Sequence, residues 1–151
     1  MIEKWKLEVS APLKHAWISE VVAGLNEVDE ETAKRILKGC GESCVKIWVD
    51  FYNYDLASYN LDSWIAELSK ADFRDVRRDD DNILYVLKLE QCACPLVSEK
   101  IVKSTPRLCS ACFTNWLEYM FGTVANRPVR AELVESLATG ASKCAFRIWL
   151  Q

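Results

Sequence analysis

The hydrophobic period of this chain changes near residue 74, and that change restricts it to a mixed architecture. Before it, Leu13, Trp17, Val21 and Leu25 recur every four residues, the spacing of one helical face, with Pro12 suited to an early helical turn. Asp29 is a natural N-cap for a second helix carrying Thr32, Ile36 and Leu37, and Gly39-Cys40-Gly41 breaks or bends it. A third helical run carries Cys44, Ile47, Trp48 and Phe51. A fourth begins near Asn60-Leu61-Asp62, with Asp62 as cap for Trp64, Ile65 and Leu68.

After residue 74 the pattern becomes that of strands. Arg74–Arg77 and Ile83–Leu89 flank the turn Asp79-Asp80-Asp81-Asn82. Pro128–Leu137 and Cys144–Leu150 flank the turn Thr139-Gly140-Ala141-Ser142, and Cys144, Phe146, Ile148 and Leu150 alternate with Ala145, Arg147 and Trp149. Between the strand pairs, Thr105-Pro106 opens a helix carrying Leu108, Cys112, Trp116, Tyr119 and Met120. The expected class is α+β: a helical N-terminal half, then a small antiparallel sheet with one inserted helix. No repeat, linker or low-complexity segment divides residues 1–151, so one domain is expected.

Composition excludes several function classes. The net charge is −3, and no Lys/Arg cluster interleaves with aromatics, so a nucleic-acid partner is not expected. No run reaches the roughly 20 apolar residues of a membrane span. The segment Met1-Ile2-Glu3-Lys4-Trp5 has no signal-peptide pattern, so a cytoplasmic location is expected. Thiols stay reduced there, and the odd count of seven cysteines also speaks against a disulfide framework.

Four of the cysteines form two close pairs, Cys92-Ala-Cys94 and Cys109-Ser-Ala-Cys112, separated by 14 residues. Cys-x-Cys on an extended segment puts both sulfurs on one face. Cys-x-x-Cys opening a helix puts them on neighbouring positions. Together they can supply four thiolates at about 2.3 Å around a tetrahedral zinc. The helix N-terminus favours thiolate at Cys109. A reversible Cys109–Cys112 redox pair and plain buried thiols are the alternatives. Cys40 and Cys44, four apart with Gly41 between them, either complete a metal site or face the helical core. Cys144 sits among core residues of the last strand.

The segment Arg127-Pro128-Val129, the strand with Glu132 and Glu135, and the run Gly140-x-x-x-Cys144-x-Phe146-x-Ile148 resemble the tail of the 4-vinyl-reductase-type domain. The upstream Cys-x-Cys-Pro and Pro-x-Leu-Cys-x-x-Cys elements resemble its cysteine-rich relatives, and similar hairpins occur in an amino-thiazoline-carboxylate hydrolase-like family. The resemblance covers roughly residues 83 to 150. It implies a small-molecule-binding module related in fold to trafficking-complex subunits of eukaryotes. In aromatic-sensing members, an acidic residue and cysteines near the hairpin bind zinc. Cys144 aligns with one such ligand, and Ser136 stands where those members have another cysteine.

Three functions follow as expectations. The first is a binding domain, a possible homodimer, that holds a small apolar ligand among Trp48, Phe51, Tyr52, Tyr54, Trp64, Phe113, Trp116, Tyr119 and Phe121, with zinc on Cys92, Cys94, Cys109 and Cys112. The second is a small hydrolase or reductase with a cysteine nucleophile and a carboxylate base, for which Glu132 or Glu135 is available. His15, the single histidine, is expected on a helix surface, which weakens any Cys–His pair. The third is a thiol redox sensor at Cys109 and Cys112.

Overall fold

The computed structural model describes residues 2–103 and 105–150, with only the backbone of Leu7. Met1, Ser104 and Gln151, which belong to the expected 1–151 domain, lie outside the described residues. The fold is α+β. Helices α1 (Ile2–Glu8) and α2 (Ser10–Gly24) run together through Val9, whose N–H donates to Trp5 O at 2.9 Å and whose carbonyl accepts from Leu13 at 2.9 Å. Of the apolar stripe read from the sequence, only its last residue, Leu25, is packed. Leu13, Trp17 and Val21 are exposed, in line with exposed Ile2, Trp5 and Val9, while Val22 and Ile18 face Val102 and Leu108.

Helix α3 (Glu30–Ile36) begins as expected: Asp29 Oδ1 accepts from Thr32 N at 2.8 Å. The break expected at Gly39–Gly41 falls instead at Leu37, and α4 (Lys38–Phe51) runs through both glycines. Helix α5 (Leu61–Leu68) is capped by Asn60, not Asp62. Asn60 Oδ1 accepts from Ser63 N at 2.9 Å and Ser63 Oγ accepts from Asn60 N at 3.0 Å, a reciprocal capping box. Asp62 points outward to Arg78, 3.1 Å away.

The sheet has four antiparallel strands in the order β1 (Arg74–Asp79), β2 (Asn82–Leu87), β4 (Cys144–Leu150), β3 (Val129–Glu135). Register sets Tyr85 opposite Phe146, Phe146 opposite Leu133, and Leu87 opposite Cys144. The tight turns use Asp80 at φ 37° and Gly140 at φ 85°, the left-handed region where glycine is least strained. Between the hairpins come α6 (Pro95–Ser98) and then α7 (Pro106–Leu108), a π-helical turn (Cys109–Phe113) and α8 (Thr114–Ala125), the last three in one continuous helical descent onto the sheet.

Helix α8 buries Trp116, Leu117, Met120, Phe121 and Val124 against Tyr85, Phe146 and Ile148, with α5 contributing Trp64 and Leu68. Aromatics expected to wall a cavity pack ring to ring: Trp48 lies 5.3 Å from Trp116 and 5.2 Å from Tyr54, and Phe113 stacks on Trp116 at 5.0 Å. Phe51 and Tyr52 face solvent. A half-buried ion pair, Lys34–Glu118, ties α3 to α8, and Glu118 also accepts from Ala131 N of β3 at 2.9 Å.

Candidate functional site

The cysteines collect where four segments meet. Cys144 opens β4 opposite Leu87, the last residue of β2, so the chain leaves β2 beside it. β2 ends at Leu87, two residues short of the expected Leu89; from there the chain is irregular through Cys92 and Cys94, and both are half-buried. The Cys94 carbonyl accepts from Val97 N at 3.0 Å and Ser98 N at 2.9 Å, starting α6 behind Pro95. Leu96, Val97 and Ile101 then pack against Val22, Val102 and Leu108. That packing holds the Cys92–Cys94 loop near Leu108, the residue before Cys109.

Cys109 and Cys112 sit inside the helical descent, in its π-helical turn, not at a free helix start. Hydrogen bonds to the fifth residue widen the turn, so positions i and i+3 are splayed further apart than in an α-helix. Cys109 is influenced by the Ser136 hydroxyl and by the thiols of Cys144, Cys92 and Cys94, and Cys112 by those of Cys40, Cys94, Cys44 and Cys109. The four cysteines singled out from the sequence therefore belong to one sulfur-rich region of the fold.

None of the seven cysteines is in a disulfide. Among the described residues, no three His, Cys, Asp or Glu side chains stand in metal-holding geometry. The donor set nevertheless suits a soft ion by type: four thiols, two from each of two segments. Its protonation differs from the sequence expectation. Burial, then the neighbouring Cys144 and Cys92, pushes the Cys109 thiol up to about 11 despite the opposing Ser136 hydrogen bond. Burial, then Cys40, Cys94 and Cys44, pushes Cys112 up to about 12. Desolvation outweighs the helix N-terminus because the first turn is packed inside the fold. Burial also raises Cys94, Cys44 and Cys144. Such thiols are poor nucleophiles without a cation beside them.

Cys40 and Cys44 were legible only as ambiguous. They are exposed on α4, and the signal that joins them to Cys112 is Gly41, whose missing Cβ would lie 2.6 Å from Cys112 O. His15 is exposed on α2. Glu132 is exposed and accepts from Trp149 Nε1 at 3.0 Å, and Glu135 lies 3.7 Å from Lys143, so neither carboxylate turns inward as a base. Two surface concavities, of about 400 and 450 Å³, are lined mostly by polar and charged side chains, including Glu30, Arg107 and Glu132 in the first and Asp62, Arg78 and Arg127 in the second.

No family model and no curated protein matches the sequence. Among solved structures, the chain is similar to trafficking protein particle complex subunit 3 of Naegleria fowleri, in a crystal structure where that protein is covalently bound to palmitic acid. The match has a TM-score of 0.51 over 95% of this chain and 96% of that chain, at 11% identity. The likeness is one of fold. It is to a trafficking-complex subunit rather than to a 4-vinyl-reductase-type domain, so the family named from the Arg127–Ile148 hairpin gains no support from it. Among the described residues, no helix is long and apolar enough to cross a membrane.

Proposed function

We propose that this chain is a binding domain for a small apolar ligand, and that Cys92, Cys94, Cys109 and Cys112 hold a zinc ion as a clasp between the β2–α6 loop and the π-helical turn. What supports the reading is that the β2–α6 loop and the π-helical turn are close enough for Cys92 and Cys94 to add to burial in raising the Cys109 thiol, and for Cys94 to do the same at Cys112. Zinc replaces the thiol protons and offsets the thiolate repulsion that burial otherwise forbids. The apolar ligand is suggested by the palmitic acid on the trafficking subunit of similar fold. Kinship with cysteine-rich vinyl-reductase-type domains rests on the hairpin residues Gly140, Cys144, Phe146 and Ile148.

Metal analysis of protein purified without added zinc, combined with thiol titration, tests the metal clasp. At least one zinc with Cys92, Cys94, Cys109 and Cys112 protected supports it, and chelation then lowers stability by about 3–4 kcal/mol at free zinc 100 to 1,000 times Kd. No metal and one fast-reacting thiol would favour the cysteine-enzyme reading. A disulfide that forms in mild oxidant and reverses with thioredoxin would favour the redox sensor.

A homodimer is proposed along the α1–α2 stripe of Ile2, Trp5, Val9, Leu13, Trp17 and Val21, a contiguous apolar face of a kind that soluble monomers seldom expose. Trp17→Glu is expected to convert a dimer to a monomer by light scattering. A monomeric parent protein would end that proposal.

A further inference from the structure

Strand β3 is one of the two outer strands of the sheet, paired with β4 on one side only. The bulge between Leu133 and Glu135 ends its regular run, so Val129–Leu133 is the even stretch of edge and Ala131 its middle residue. A bare edge offers unpaired N–H and C=O groups to any second strand. Here side chains occupy the middle of it. Glu118 of α8 accepts from Ala131 N at 2.9 Å, and Lys34 of α3 donates to Ala131 O at 3.0 Å. Lys34 and Glu118 also pair with each other, and Asn115 Nδ2 donates to Lys34 O at 2.7 Å, which fixes α3 beside α8. Both backbone groups of Ala131 therefore point away from β4, toward the place a fifth strand would take. The surface concavity of about 400 Å³ takes Glu132 and Leu133 of β3 into its lining together with Asn26 and Glu30, so open space lies beside this half of the strand.

We propose that β3 is a self-complementary edge for a second copy of this chain, held closed by the Lys34–Glu118 pair. A two-fold axis through Ala131 sets β3 antiparallel to its counterpart, with Ala131 opposite Ala131 as the pair that exchanges both N–H···O bonds. The same register sets Val129 opposite Leu133 and Arg130 opposite Glu132, each twice. Val129 and Leu133 are half-buried and share the core face with Ala131, while Arg130 and Glu132 are exposed on the other face. Apolar side chains then meet apolar ones, and each guanidinium meets a carboxylate. Moving the axis by one residue, to Arg130 or Glu132, sets like charges opposite one another, which opposes that register. The strand therefore specifies one partner and one alignment. Lys34 and Glu118 take the two bonds that the central pair needs, so the sheet continues into a second copy only when both side chains withdraw. This surface is separate from the α1–α2 stripe and does not depend on the cysteines.

The test uses the full chain carrying Trp17→Glu, so that association along α1–α2 does not intrude, with and without Lys34→Met/Glu118→Met. Replacing both charges together leaves no orphan ion, and methionine keeps a flexible apolar stem at each position. Light scattering is expected to give the unlocked protein about twice the mass of its locked parent at the same concentration. Adding Arg130→Glu, which sets glutamate opposite Glu132, is expected to return the mass to the parent value. An unlocked protein that unfolds cooperatively in urea yet keeps the parent's mass overturns the proposal. So does a doubling that ignores Arg130→Glu, because the contact then lies elsewhere. If the methionine pair does not fold, Lys34→Met alone bares the Ala131 carbonyl and decides the matter: it must show the doubling and its loss with Arg130→Glu, and an unchanged mass overturns the proposal.

Discussion

Gly41→Ala is expected to destabilise the fold by about 2–3 kcal/mol, while Gly39→Ala, two residues earlier on the same helix, stabilises it by about 0.5–1 kcal/mol. Both glycines lie within α4, and a local rule would treat them alike. Alanine restricts the unfolded chain and favours the helix at either site. At Gly39 nothing lies within 4 Å of the added methyl, so that gain is kept. At Gly41 the methyl meets the Cys112 carbonyl at 2.6 Å and the Asn115 Cβ at 2.8 Å. The obstructing groups at 112 and 116 are backbone, and Asn115 is itself held, donating to Lys34 O and Ala111 O, both at 2.7 Å. α4 and α8 must therefore separate. Urea midpoints at constant m measure both variants, and a neutral or stabilising Gly41→Ala would mean that the two helices do not touch as described.

Trp64→Ala should cost about 4 kcal/mol, the larger of the two effects, and Trp64→Phe less than half of that. Trp64 is fully buried, with Tyr54 at 5.1 Å and Tyr59 at 4.9 Å edge-on around it. Truncation to alanine leaves a void in a core where Leu68, one turn further along the same face of α5, is already packed in the same cluster. Phenylalanine keeps most of the ring. It also removes the buried Trp64 Nε1–H, which has no hydrogen-bond partner among the described residues. Equal losses for the two variants, read from urea unfolding, would show that the indole nitrogen is satisfied after all.

Much of the fold was open to reading from local pattern. Asp29, Thr105-Pro106 and the alternation from Cys144 to Leu150 each act within a few residues, and each appears where expected. Errors arose where a competing residue stood close by. Asn60 displaced Asp62 as cap because its side chain forms a reciprocal pair with Ser63. Leu13, Trp17 and Val21 have helical spacing but face solvent, since periodicity gives a face without saying what will cover it.

The candidate site was half legible. Spacing alone picked out Cys92, Cys94, Cys109 and Cys112, because close thiol pairs are chemically conspicuous in one dimension. That α4, which carries Cys40 and Cys44, lies beside Cys112 depends on a π-helical turn and on Gly41 packing against it. Local pattern thus determined the element types, the strand hairpins and the sulfur-rich character of this protein, since these follow from interactions a few residues long. Tertiary packing alone decided which cysteine-bearing segments adjoin and how far burial raises each thiol. Both depend on desolvation and on distances between segments remote in sequence, and neither has a periodic signature.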